Sequence, residues 1–310
     1  FLVRALQMRR AAGVPPFTVL CCDNLPQNGR LVRSVVLELA GMINPELADW
    51  ISQNGAFPST MVDRIVPATS PEDIVTLANK SGYLDCSPVI HEPFRQWVIE
   101  DDFVNEERPD FAAAGAQMVD DVMAFEHMKL RCLNGTHSSL AYMGYLAGYE
   151  SIFDTVSNPD FGRYCQRLWS AEIIPGLKPP EGVNLQDYAQ ALFERYSNPA
   201  IRHLTWQIAM DGSQKLPQRI LGIIEENLAA KRASPGLVLA VAAWMRYVGA
   251  VDESGQAIDV QDPLAELLKS LSDSGVDAAA KVDAILSLRE VFPESLATNP
   301  LFQNALLKAF

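Results

Sequence analysis

Neither Gly-x-Gly-x-x-Gly nor a Walker motif occurs in the 310 residues, so the chain carries neither common glycine-rich phosphate cradle. Long apolar runs are also missing. The longest, residues 236–245, is too short to cross a bilayer as a helix. Positive charge is scarce: 25 Lys and Arg stand against 38 Asp and Glu, a net charge of -13. Nucleic acids and anionic membranes need a positive face, so neither is expected as a partner, although a local basic pocket for an anionic substrate still fits. The five cysteines include no Cys-x-x-Cys and indicate neither a zinc knuckle nor a disulfide framework. A reducing, cytoplasmic setting is therefore expected. The acidic run Glu100-Asp101-Asp102 has no His at ligand spacing, so it reads as a solvated turn, and no metal is expected. No signal peptide is visible, and the chain opens on Phe1 inside an amphipathic segment, which reads as a natural N-terminus that is missing. Internal repeats and low-complexity segments are absent.

At 48% hydrophobic and 20% charged residues, the composition fits two domains around sizeable cores. Residues 17–22, Phe-Thr-Val-Leu-Cys-Cys, predict a buried strand. The polar loop after it, 23–29, lies where open α/β sheets place ligands. Asn24 is there either as a ligand-facing amide or as an Asx turn or helix cap. Residues 31–54 carry helical spacing, with Asn44-Pro45 starting a second helix. Residues 56–67 read as extended between prolines and hold Asp63 and Arg64, as a structural ion pair or as part of a polar pocket. Ser70-Pro71-Glu72-Asp73 caps a further helix, and 93–102 reads as a third extended run. From about Asp110 only helical patterns are expected, which puts the domain boundary near 105–123. Gly144 and Gly148 are expected to allow close helix packing.

The second half opens on Lys129, Asn134 and His137. On an ideal α-helix the three span an arc of roughly 140°, so they can share a face. Asn134-Gly135 is also a turn dipeptide that could break the helix. A lysine able to lose its proton, an amide donor and an imidazole suit proton transfer at an alcohol oxygen. The alternative is a solvated Lys, a capping Asn and a satisfied core His. A site at the domain junction would add Asn24 and Asp63 to the three.

Three motifs together resemble the long-chain mannitol dehydrogenase family: Cys22-Asp23-Asn24-Leu25-Pro26-x-Asn28-Gly29, Phe57-Pro58-x-Thr60-Met61-Val62-Asp63-Arg64-Ile65, and Lys129-x4-Asn134-x2-His137. Glu92-Pro93-Phe94-Arg95-Gln96-Trp97 and Thr205-Trp206-Gln207-Ile208-Ala209-Met210-Asp211-Gly212-Ser213-Gln214-Lys215-Leu216-Pro217-Gln218-Arg219 look like its D-mannonate oxidoreductase (fructuronate reductase) branch. The resemblance implies an α/β plus α fold. Residues 1–122 would be the C-terminal part of a Rossmann-type NAD-binding domain, and 123–310 a helical substrate domain. It implies an NAD-dependent oxidoreductase that interconverts D-fructuronate and D-mannonate, with the glycine-rich NAD turn not in this chain. The alternatives are mannitol 2-dehydrogenase or another polyol or aldonate dehydrogenase on the same scaffold, and, from another class, a non-catalytic helical binding module.

By resemblance Lys129 is the general acid/base, Asn24 and Asn134 hold the developing alkoxide, and His137 orients the substrate or Asn134. Asp63 binds a substrate hydroxyl, and Glu126 lies on the proton path. Polyol-oxidising relatives commonly carry Arg where this chain has Gln207, eight residues before Lys215. A uronate needs a cation for its carboxylate, and the expected candidates are Arg64, Arg95, Arg202 and Lys215.

Overall fold

The computed structural model describes residues 1–310. The chain divides into two compact units, Phe1–Glu126 and His127–Phe310. In the first, α1 (Leu2–Ala11), α2 (Asn28–Ile43) and α3 (Pro45–Asn54) enclose an apolar cluster. Val36 with Ala40, and Leu47 with Ile51, are four apart, so each pair sits on one helical face and is buried there with Leu6 and Phe57. Between α2 and α3, the Asn44 side chain accepts the Glu46 N–H at 2.9 Å, and Pro45 fills the first helical position, where no donor is needed. The helix α4 (Pro71–Ser81) begins with the expected Ser70–Asp73 capping box.

The sheet has three short strands, β1 (Thr60–Asp63), β2 (Gln96–Glu100) and β3 (Gln117–Val119), in that order. The central β2 is antiparallel to β1 and parallel to β3. The two proline-bounded runs supply β1 and β2. The third strand lies beyond Asp110, where only helices are expected; three residues are too few to show an alternation. Residues 17–22, expected to be a buried strand, join no ladder. Isolated bonds hold them instead: the Val19 N–H donates to the Ala56 carbonyl at 3.0 Å, and Thr60 Oγ1 donates to the Cys21 carbonyl at 2.6 Å. Glu100 also departs from the expected solvated turn. Its buried carboxylate accepts the Ser59 N–H at 2.8 Å and pairs with Arg30 at 3.1 Å.

The join between α2 and β1 depends on Asn28. Its buried amide donates to the Thr60 carbonyl at 3.0 Å and to the Asp23 carbonyl at 2.9 Å, and accepts the Thr60 N–H at 2.9 Å. Gly29 beside it packs on bare main chain: a Cβ there would lie 2.4 Å from the Phe57 oxygen.

Beyond β3 the chain is helical. The elements are α5 (Met123–Met128), α6 (Thr136–Leu146), α7 (Ile152–Ser157), α8 (Pro159–Arg167), α9 (Leu185–Tyr196), α10 (Thr205–Ala209), α11 (Gly212–Leu216) and α12 (Gly222–Ala229). They continue with α13 (Pro235–Tyr247), α14 (Ala265–Ser274), α15 (Ala278–Leu286), α16 (Glu294–Ala297) and α17 (Pro300–Ala309). Three stretches, Lys129–Gly135, Leu168–Ile173 and Pro217–Leu221, are wound as π-helix. The second unit is built around α6 and α13, which pack together and bury Tyr142, Trp244 and Tyr247. Gly144 lets α7 approach α6: a Cβ there would lie 2.5 Å from Thr155 Oγ1. Gly148, expected to pack in the same way, has open space around it and adopts φ +83° just past the end of α6. No helix is long and apolar enough to cross a membrane.

Replacing Gly29 by Ala drives a methyl into main chain that has no rotamer to yield. The expected loss of stability is about 1–3 kcal/mol, read as a lower urea midpoint. An unchanged midpoint would show that residues 57–58 are free to shift.

Candidate active site

The stretch that begins at Lys129 does not break at Asn134-Gly135. Gly135 stays helical (φ −64°, ψ −49°) and leads into α6. What differs from the expectation is the winding. Lys129 and Asn134 are five residues apart, which an α-helix would separate by roughly 140° around its axis. The i→i+5 pattern of a π-helix brings residues five apart to the same side. His137 follows three residues after Asn134 in α-helix, so it is Asn134's neighbour on that side.

The wide turn is held from outside. Trp169 Nε1 donates to the Cys132 carbonyl at 3.0 Å and the Tyr196 hydroxyl to the Leu133 carbonyl at 2.8 Å. Ser139 Oγ donates to the Gly135 carbonyl at 2.8 Å. Gly135 lies against the third π stretch, Pro217–Leu221, where a Cβ would come within 2.7 Å of the Arg219 carbonyl oxygen. Arg131 grips Glu226 through two bonds of 2.5 Å.

Lys129 is half-buried, while Asn134 and His137 are buried. Asn134 Oδ1 and His137 Nε2 are sealed from solvent and make no hydrogen bond. The His137 ring stacks on Tyr196 at 5.2 Å and lies 4.6 Å from the His203 ring. Burial, then repulsion by His203 when that ring is protonated and by Arg219, Arg195 and Lys215, pushes the His137 imidazole well below the usual histidine range, so it is neutral at pH 7. Burial lowers His203 to about 4. Lys215 is also held below the ordinary lysine range, first by burial and then by Arg219. Its ammonium donates to the Met210 carbonyl at 2.5 Å and lies 3.6 Å from Asp211. The result is a buried polar patch with two unpartnered atoms inside a cationic surround, a setting suited to a hydroxylated or anionic ligand.

Sequence reasoning missed Arg219, His203 and Tyr196 here. Arg219 had a signal: it stands four residues after Lys215 in a helical run and so falls on the same side. His203 had none, since it lies in the loop after α9 and only the tertiary fold brings it to His137. Of the other expected residues in this unit, Gln207 is half-buried on α10 and Arg202 pairs with Glu150 at 2.5 Å in solvent.

In the first unit, Asn24 lies in an exposed loop. Asp63 is buried at the end of β1, opposite Gln96. Arg64 donates to the Phe94 carbonyl at 3.0 Å, and Arg95 is exposed. Glu126 accepts the Gln27 N–H at 3.1 and 3.3 Å. Burial raises its carboxyl above the usual range, with the Gln27 N–H pulling the other way. No group of three or more His, Cys, Asp or Glu is placed to hold a metal ion.

The two depressed histidines set a pH dependence. Above pH 6.5 both states leave His203 neutral and it contributes nothing. As pH falls from 6.5 toward 4 the unfolded chain binds the proton first, so stability is lost across that window, roughly 2 kcal/mol between pH 7 and pH 5 from His203. Urea midpoints at the two pH values are expected to differ, and His203→Gln is expected to shrink the difference. An identical pH slope in that variant would contradict the burial argument.

Sequence comparison bears on the whole chain. A family model described as the mannitol dehydrogenase Rossmann domain matches residues 1–112, and one described as the mannitol dehydrogenase C-terminal domain matches 121–310. D-mannonate oxidoreductase of Escherichia coli (strain K12) is 50% identical over 311 residues, covering 100% of this chain and 63% of its own length. Mannitol 2-dehydrogenase of Aspergillus clavatus is 39% identical over 312 residues, covering 100% of this chain and 61% of its own. The crystal structure of Pseudomonas fluorescens mannitol 2-dehydrogenase, a ternary complex with NAD and D-mannitol, superposes with a TM-score of 0.90 at 40% identity, over 99% of this chain and 62% of that one. This chain therefore spans somewhat less than two thirds of the length of these relatives. A Rossmann-type domain followed by a helical C-terminal domain, as the sequence resemblance implied, places the chain in the mannitol dehydrogenase family.

Proposed function

We propose that the protein is an NAD-dependent oxidoreductase of a secondary alcohol that interconverts D-mannonate and D-fructuronate, with Lys129 as general acid/base. The observation that carries this reading is the winding at Lys129–Gly135, which puts a lysine and an amide on one side with a neutral imidazole next to them. The 50% identity to a D-mannonate oxidoreductase supports that substrate over mannitol, for which the relatives named above are 39–40% identical.

In the oxidative direction, Lys129 in its neutral form takes the proton of the reacting hydroxyl. The Asn134 amide donates to the oxygen as negative charge develops. His137 stays neutral and accepts or donates one hydrogen bond to a substrate hydroxyl, which fixes the sugar chain. Glu126, its carboxyl raised by burial, passes the proton on from Lys129. In the reductive direction the same groups return it.

Lysine, amides and imidazole move protons and hold charge, but none of them accepts hydride, so this donor set fits a bound nicotinamide, which supplies or takes the hydride. The loop 23–27 and Asp63 would face its reacting end. The pyrophosphate would rest on a glycine-rich turn, which these 310 residues do not contain. The partners in this reading are small sugar acids. The five free cysteines are in keeping with a reducing, cytoplasmic compartment.

An NADH-oxidation assay with fructuronate, tagaturonate and fructose side by side tests this. Fructuronate is expected to turn over fastest, and Lys129→Ala is expected to lower kcat about 10²–10⁴-fold. Preferred turnover of fructose would move the protein to the polyol specificity. An unimpaired Lys129→Ala enzyme would remove Lys129 from the mechanism.

A further inference from the structure

Arg219 is a partly buried guanidinium with no ion-pair contact. Elsewhere in the second unit, Arg131, Arg202 and Arg246 grip Glu226, Glu150 and Glu253 at 2.5, 2.5 and 2.7 Å. Arg219 has no carboxylate at ion-pair distance. Asp211, whose charge reaches Arg219 from beyond that distance, lies 3.6 Å from Lys215. Arg219 makes one hydrogen bond, from Nη1 to Ser138 Oγ at 3.1 Å. Its Nε is sealed from solvent with no partner, while Nη2 is neither bonded nor sealed. Withdrawing a cation from water without an opposite charge is costly, and removing it from an ordinary packing role would be expected to stabilise. Such a cost is tolerated where an anionic ligand completes the pair.

The position of the side chain says which ligand. Arg219 lies along residues 134–138: its carbonyl packs on Gly135, and its Nη1 bonds to Ser138, the residue after His137. The unpartnered Asn134 Oδ1 and His137 Nε2 belong to the same stretch. Lys215, four residues before Arg219, adds a second positive charge on that side, and Arg219 is the second-largest cause of its lowered basicity. One guanidinium edge and an ammonium that already lies 3.6 Å from Asp211 match a single negative charge. A phosphate dianion would call for more donors. Arg64 and Arg202, which the sequence offered for this role, are already bonded to a main-chain carbonyl and to Glu150.

We propose that Arg219, reinforced by Lys215, is the subsite that binds the carboxylate of a sugar-acid substrate, meeting it through Nη2, and so sets the preference for an acid over a neutral polyol. This rests on the oxidoreductase reading given above and names the residue behind its substrate class.

The test is steady-state kinetics of the intact protein and of Arg219→Met and Arg219→Lys, with fructuronate and fructose as substrates and NADH saturating. D-mannonate binding, followed by tryptophan fluorescence, is measured in parallel, and a thermal melt reports folding. Arg219→Met is expected to raise the KM for fructuronate and the Kd for mannonate about 30-fold or more, with kcat changed less than about threefold. Arg219→Lys, which keeps the charge, is expected to recover part of the loss. If Arg219→Met fails to fold, Arg219→Lys still decides: a KM raised for fructuronate and not for fructose supports the assignment. Equal changes for both substrates, or a fall in kcat with KM unmoved, would make Arg219 a packing residue and overturn it. A wild-type protein that reduces fructuronate while Arg219→Met keeps the wild-type KM overturns this assignment alone. A wild-type protein that reduces no sugar acid overturns the functional reading, and the assignment with it.

Discussion

The i→i+5 winding from Lys129 to Gly135 is imposed by its neighbours and not by its own sequence. A π turn has poorer intrinsic geometry than an α turn and persists only where something else holds it. Here Trp169 and Tyr196 donate to the carbonyls of Cys132 and Leu133, and the bare Gly135 seats itself on the main chain at Arg219. Both donors are buried aromatic residues of the helical core, on a second π stretch and on α9. The geometry at Lys129 and Asn134 is therefore coupled to the packing of the whole second unit. Loss of the core would release the turn to α-helix and separate the two side chains.

The same packing fixes the electrostatics. His137 is buried against Tyr196 and His203, with Arg219, Arg195 and Lys215 close enough to oppose its protonation. A neutral imidazole among cations is a sound hydrogen-bonding group for a hydroxyl, because it does not exchange its proton in the neutral pH range. Those cations also favour negative charge nearby, which serves a developing alkoxide and a carboxylate alike. In the proposed reaction, one set of buried residues would support the proton chemistry and bias the choice of ligand.

Much of the fold was legible from local chemistry. Asn44-Pro45 and the Ser70 capping box carry their own hydrogen-bond logic, and both start helices where the sequence put them. The proline-bounded runs became β1 and β2. What was not legible depends on partners remote in sequence. Residues 17–22 have strand composition but make only single bonds to Ala56 and Thr60, so composition did not produce a ladder. Glu100 looked solvated beside Asp101 and Asp102, yet Ser59 and Arg30 reach it from far along the chain. In the site, Lys129, Asn134 and His137 could be picked out by residue type and spacing, but α-helical spacing does not describe a stretch wound as π-helix. The π winding has no signature in residues 129–135, because the groups that stabilise it lie at 169, 196 and 219.

The central claim is that the π turn is what aligns Lys129 with Asn134. Deleting Leu130 removes the extra residue and lets the stretch close as α-helix, while the Asn134–His137 spacing is kept. The measurement is kcat for fructuronate reduction by the Leu130 deletion, with helix content followed by circular dichroism. The account predicts native helix content and a kcat lower by about 100-fold or more, since displacement of a catalytic group by about 1 Å already costs that much. Native helix content with wild-type kcat would contradict it.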